Sequence, residues 1–246
     1  MKRILIILLV LFYAAPSHAQ DYTPPTWANL ANTLIRFNAL DITQDAVIDD
    51  YGAITECDLF KAYHGDDFKW NSVRGAMRDS IAQHIATFPT TSGYATQLQL
   101  DHYDFQNKIY RLTKKSAVQR VNDFVVYQSD GNFCGTAVKN IPHSFSAVLD
   151  TPVTFDGLPL NAQDAEALAK RMADAGNPDK IIYTRFNLRI TYIDPIRHAE
   201  VKGENNGFTR PKNAAVIRLD SHLDSIDFYE DAAMTKLIYT YRPSTL

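Results

Sequence analysis

The sequence predicts an α+β protein: a helical N-terminal third, then a mainly antiparallel, strand-rich region with one inserted helix. Three observations predict it. Apolar residues recur every three or four positions up to about residue 88. From about residue 94 they alternate, or run in short aromatic and β-branched stretches. The strand candidates do not take turns with helices, as βαβ units would. Of the 246 residues, 46% are hydrophobic and 22% charged, with only 10 Gly and 11 Pro, which excludes disordered, collagen-like and linker-like chains.

The chain opens with Lys2 and Arg3, an apolar run over residues 4–15, and Pro16-Ser17-His18-Ala19, with small Ser17 and Ala19 where a signal peptidase needs them. Residues 1–19 therefore read as a cleavable signal peptide. The run falls short of the roughly 20 residues of a spanning helix, so the cleaved chain is expected not to span a membrane. No cysteine near the cleavage point offers a lipid anchor. Residues 20–246 are expected to form a single α+β domain in the periplasm or outside the cell. Without Lys2 and Arg3 the chain keeps 23 basic against 28 acidic residues, a formal charge of -5, which argues against a nucleic-acid partner.

The helical part spans about residues 26–88. Thr26 can cap a helix carrying Trp27, Leu30, Leu34 and Phe37 on one side. A second helix is predicted over 53–63, with Ile54, Cys57, Leu59 and Phe60 near one side and Gly65 ending it. A third starts at Asp66 and Asp67, whose charges suit a helix N-terminus, and carries Trp70, Val73, Met77, Ile81 and Ile85 until Phe88-Pro89.

The strand-rich part covers about residues 94–242. Residues 97–112 read as two strands around a Gln106-Asn107 turn, and further strands are predicted at 123–128, 144–149, 181–193, 214–224 and 237–241. The 181–193 strand is expected to pair antiparallel with 214–224 after a connection containing Asn205-Asn206-Gly207. The inserted helix runs from Asn161 as cap, with Asp164 three residues on, through Leu168 and Met172 to Gly176 and Pro178.

The only cysteines are Cys57 and Cys134, in a chain addressed to an oxidising compartment, and they are expected to pair. Closing so long a loop stabilises by roughly 4 kcal/mol on the chain-entropy account. The bridge would also tie the two parts across Thr90-Thr91-Ser92-Gly93. No Cys-x-x-Cys pair suggests redox catalysis.

The chain lacks Gly-x-Ser-x-Gly, His-Glu-x-x-His, a P-loop and a dinucleotide-binding glycine fingerprint, and no cofactor is expected. Three local patterns are candidates for chemistry. In Asp220-Ser221-His222-Leu223-Asp224, alternation would set Asp220, His222 and Asp224 side by side on a strand, where they can hold a metal or orient a general base in a hydrolase. The solvent face of a half-buried strand reads the same way, and His102 with Asp104 is a weaker echo. Residues 41–49 resemble an EF-hand loop, with Asp41, Thr43, Asp45 and Asp49 on ligand positions one, three, five and nine. Ala46 replaces the turn glycine and Gly52 the bidentate Glu, which leaves a degenerate calcium site or a plain helix connector. Lys108, Arg111, Lys114, Lys115 and Arg120 make a basic stretch, and Asp220, Asp224, Asp227, Glu230 and Asp231 an acidic one. Either can attract a charged envelope polymer or protein, or the two can complement each other.

At Cys57-Asp58-Leu59-Phe60, Asp67-Phe68-Lys69-Trp70 and Tyr103-Asp104-Phe105 the chain resembles a group of exported bacterial proteins classed as a domain of unknown function. The resemblance implies a bacterial envelope protein and assigns no activity to any residue. Taken together, the sequence points to an exported, non-enzymatic binding or interaction domain whose partner is an envelope protein or polymer. The hydrolase row and the calcium loop are the alternatives.

Overall fold

The computed structural model describes residues 22–194 and 216–243. The expected signal peptide and the Asn205-Asn206-Gly207 turn lie outside the described residues. Helix α1 (Trp27–Arg36) starts at Thr26, whose side chain accepts from the Asn29 N–H, and ends at Asn38, which takes the left-handed conformation (φ 56°). The helix predicted over 53–63 is two helices. α2 (Asp45–Thr55) begins eight residues earlier, and α3 (Cys57–Tyr63) follows after a break at Glu56. α4 (Asp67–His84) is capped by Asp66, as its charges suggested, and a 3-10 turn, Ile85–Thr87, leads out of it.

Among the described residues ten strands follow, with one helix between them. They are β1 (Thr91–Asp104), β2 (Ile109–Leu112), β3 (Val118–Gln128), β4 (Asn132–Phe133), β5 (Thr136–Ala137), β6 (Ser144–Phe155) and β7 (Gly157–Pro159). After α5 (Ala162–Asp174), capped by Asn161, come β8 (Ile181–Asp194), β9 (Ile217–Tyr229) and β10 (Leu237–Tyr241). The α+β order holds. Eight strands form one sheet in the order β3-β6-β9-β8-β1-β2-β7, with β10 also on β9, while β4 and β5 make a separate small hairpin. β8 pairs antiparallel with β9 from Tyr183↔Tyr229 to Asp194↔Arg218, while β6 pairs with β9 in parallel.

The sheet is strongly curled. β1 and β3 are separated by three strands, so at about 4.8 Å per strand a flat sheet would hold them roughly 19 Å apart. Yet the Phe124 ring of β3 lies 5.1 Å from Tyr94 of β1 and 5.5 Å from Phe186 of β8. The N-terminal lead and α1 touch both of these strands. The Gly93 N–H of β1 donates to the Thr23 carbonyl (2.8 Å), and Trp27 packs on Tyr127 of β3.

One cluster of buried side chains runs from Leu30, Ile48, Trp70 and Ile81 of the helices to Phe124, Phe145, Phe186 and Phe228 of the sheet, and includes Leu168 and Met172 of α5. Each large member contributes roughly 1.5–3 kcal/mol by leaving water. Three further ties join the helices to the strand-rich part. Cys57 of α3 is disulfide-bonded to Cys134, between β4 and β5, with Cα atoms 5.4 Å apart. The Trp27 indole N–H donates to the Pro142 carbonyl (2.7 Å). Asp50 of α2, 8% exposed, accepts from the backbone N–H groups of Lys139 and Asn140 and from the Asn140 side chain.

Candidate functional site

Asp220, His222 and Asp224 do share the outer face of β9, since Leu219, Ser221 and Leu223 between them are buried. The structure gives His222 and Asp224 separate partners. His222 Nδ1 lies 2.7 Å from Asp150 Oδ2 on β6, because the parallel register Val148↔Asp220 and Leu149↔Ser221 brings Asp150 alongside it. Asp224 pairs with Arg189 across the β8–β9 ladder and accepts from the Tyr22 hydroxyl (3.1 Å). Burial and the adjacent Asp224 carboxylate push the Tyr22 phenol up to about 12. Among the described residues, no group of three or more His, Cys, Asp or Glu side chains is arranged to hold a metal. The His102 and Asp104 pair also disperses: His102 meets Asp101, while Asp104 pairs with Arg111 and accepts from Asn107.

The calcium-loop alignment is corrected by the helix that occupies it. Asp45 and Asp49 are on α2, one turn apart, so the loop that would wrap an ion does not form. Arg74 of α4 grips Asp49 with Nε and Nη2, both at 2.7 Å, and Arg74 and Arg78 both reach Asp45. Burial alone would raise the Asp49 carboxyl, but hydrogen bonds from Arg74 and Trp70 outweigh it and hold the group below its ordinary value. Asp41 is turned onto its own loop, accepting from Thr43 and Gln44. The Asp45 and Asp49 carboxylates fasten α2 to α4.

The basic and acidic stretches do not complement each other through Arg111, which pairs with Asp104 and Asp156. Asp227 is the hub of the acidic one, accepting from Arg185, Asn187, Tyr229 and Thr240. Glu230 is held by Arg171 of α5, and Asp231 caps the turn into β10 through the Thr235 and Lys236 N–H groups. The acidic groups other than Asp220 thus hold together the end of the sheet.

A different feature has the shape of a binding site. Between the N-terminal lead and the β4–β5 hairpin lies an open groove of about 350 Å³. Pro24, Pro25 and the first turn of α1, through Trp27 and Ala28, make one side; Ile54 of α2, Tyr127 of β3 and Phe133 of β4 make the rest. Among the described residues no charged side chain lines it. Phe133 is 40% exposed and stands edge-on to Trp27, with ring centroids 6.0 Å apart and planes at 88°. Burial raises the Tyr127 phenol above its ordinary range.

Local chemistry builds the groove. Pro24 and Pro25 restrict the backbone of the lead and withhold backbone N–H groups, the Thr26 N–H donates to the Pro24 carbonyl (2.8 Å), and Thr26 then starts α1 so that Trp27 turns inward. Across the groove, Cys134 (φ 54°) and Gly135 (φ 79°) form a two-residue turn with both central residues left-handed, which folds β4 onto β5 and lifts Phe133 to the rim. The disulfide at Cys134 pins this turn to the start of α3. Sequence reasoning did not find the site. Its parts come from four places in the chain, and the one local signal was Cys134-Gly135 flanked by Phe133 and Thr136.

A family model described as "Domain of unknown function (DUF4852)" matches residues 43–170, just over half of the chain, and the chain belongs to that family. No curated protein and no solved structure matches the chain.

Proposed function

We propose that this member of the DUF4852 family is an exported, non-enzymatic binding domain that takes an extended, uncharged segment of an envelope protein into the groove between Trp27 and Phe133. The groove carries the reading. It is open and apolar, the described residues that line it carry no charge, and the Phe133 ring is left partly exposed at its rim beside the buried Trp27 ring. Aliphatic and aromatic side chains are the chemistry such a wall accepts. A charged polymer would be desolvated there without a partner.

Export rests on the expected cleavage after Ala19, and it is supported by the Cys57–Cys134 bridge, which persists in oxidising compartments. Among the described residues no helix is long and apolar enough to cross a membrane. Residues 20–246 act as a single domain in this reading. Its support is the continuous core and the three ties that cross from helices to strands.

The test is site-specific photocrosslinking in intact bacteria, with the chain made behind its own signal. A photoreactive residue at Phe133 is expected to give a discrete adduct that the same probe at exposed Lys170 of α5 does not give and that disappears when residues 1–19 are deleted. Identical adducts at both positions, or none at Phe133, would overturn the groove as the binding site. N-terminal sequencing of the recovered protein should begin at Gln20, and retention of residues 1–19 would overturn the cleavage.

A further inference from the structure

The exposed wall of the groove is also its most weakly built part. Phe133 belongs to a hairpin of only two residue pairs, Asn132↔Ala137 and Phe133↔Thr136, outside the large sheet. A two-stranded ribbon of this size does not hold itself in water. Its base is fastened separately. The Val138 N–H donates to the Gly131 carbonyl (2.8 Å), and the N–H groups of Lys139 and Asn140 donate to Asp50 of α2. The tip has the disulfide, at the residue next to Phe133, and the edge contact with Trp27. Cys57 lies three residues beyond Ile54, another lining residue on the same side of the groove as Phe133. One covalent bond therefore fastens the hairpin tip to the helical segment that carries the rest of this wall.

We infer that the Cys57–Cys134 bridge is a redox gate of this groove: oxidised, it holds Phe133 in place as a wall; reduced, it releases the hairpin tip while the base stays on Asp50. The inference rests on the groove being the binding site. The reductant is an exogenous dithiol of the kind carried by thiol–disulfide oxidoreductases. Its thiolate attacks one sulfur of the bridge, the S–S bond breaks as a mixed disulfide forms, and the second thiol of the reductant resolves that intermediate. Two electrons and two protons pass to Cys57 and Cys134, and the reductant leaves as a disulfide. Both cysteines are only partly buried, which leaves the bridge open to such attack.

Amide exchange by NMR on the full mature chain separates tip from base, and 1-anilinonaphthalene-8-sulfonate serves as the apolar probe of the groove. In the oxidised protein the Phe133, Thr136 and Val138 amides and those of Lys139 and Asn140 should all be protected. With dithiothreitol, or in the Cys57→Ser/Cys134→Ser variant, tip protection at Phe133 and Thr136 should fall by about tenfold or more while Lys139 and Asn140 keep theirs, and dye affinity should drop in parallel. Unchanged tip exchange after reduction would overturn the gate. So would loss of protection at tip and base together, which is the behaviour of a global staple. Phe133→Ser in the oxidised state separates the two readings. If it lowers dye affinity and reduction does not, the groove stands and the gate is overturned; if it leaves dye affinity unchanged, the groove reading itself fails.

Discussion

Replacing Asp50 by Ala tests how the two parts of the protein are joined. One carboxylate oxygen of Asp50 accepts from the Lys139 N–H (2.8 Å), the Asn140 N–H (2.5 Å) and Asn140 Nδ2 (2.9 Å), at a site only 8% exposed. Hydrogen bonds to a charged group contribute about 1.5–3 kcal/mol each, but three donors on one oxygen are not additive. Deleting the carboxylate also removes its own desolvation penalty. The net loss for Asp50→Ala is about 3 kcal/mol, dominated by two backbone donors left without an acceptor. For a chain of this size that lowers Tm by about 6–12 °C. Asp50→Asn keeps an acceptor without the charge and should lose about half as much. The assay is urea unfolding of the oxidised protein followed by the fluorescence of Trp27 and Trp70, with exposed Asp58→Ala expected to stay within about 0.5 kcal/mol of the parent. If Asp50→Ala also stays within that margin, the carboxylate does not hold the hairpin base, and the argument from buried donors is wrong.

Three other outcomes follow from the same geometry. Arg74→Met, measured by chemical unfolding at several pH values, should cost about 1–2 kcal/mol at pH 7. The carboxyl of Asp49 is lowered in the folded state, so its contribution is full above the unfolded value of about 4 and is lost as pH falls through the lower folded value; the difference between variant and parent should therefore shrink on acidification. Gly157→Ala in β7 should cost about 1–3 kcal/mol by thermal denaturation, since a Cβ there would collide with Ile109 Cγ2 and stand 2.6 Å from the Tyr110 carbonyl oxygen, and the latter cannot retreat without disturbing the β2–β7 pairing. Tyr22→Phe removes the hydroxyl that donates to Asp224 and should cost about 1 kcal/mol, read as a shift in urea midpoint; no shift would mean that the lead is not fastened to the sheet by this bond.

Helices with a strong side-chain cap and one apolar face were legible in the sequence: α1 from Thr26, α4 from Asp66 and α5 from Asn161 all start where their caps indicated. α2 was not, although Val47, Ile48, Tyr51 and Ile54 have helical spacing. Its N-cap, Gln44, makes no side-chain cap bond, and Asp45 and Asp49 mimic a cation loop until Arg74 and Arg78, some thirty residues later, are seen to neutralise them. β3 and β6 extend beyond the stretches expected because their register shifts repeatedly, with Arg120 left-handed at φ 50°, and a bulge breaks the alternation on which strand reading depends. The partner of His222 could not be read locally. Asp150 lies 72 positions away and meets it only through the parallel β6–β9 pairing.

That pairing also dictates when the protein can fold. β9 lies between β6 and β8 in the sheet but follows both of them in the chain. Until it arrives, β6 and β8 each present an unpaired edge, while β1 waits for β8, whose Ile181 is 82 positions beyond its partner Gln99. Contacts this distant in sequence make folding slow, on the order of milliseconds to seconds, because loop closure must precede the gain from pairing. A chain released or cut short before residue 217 is left with two half-sheets and raw edges that invite aggregation. The sheet can therefore close only after β9 has been delivered and paired with both β6 and β8.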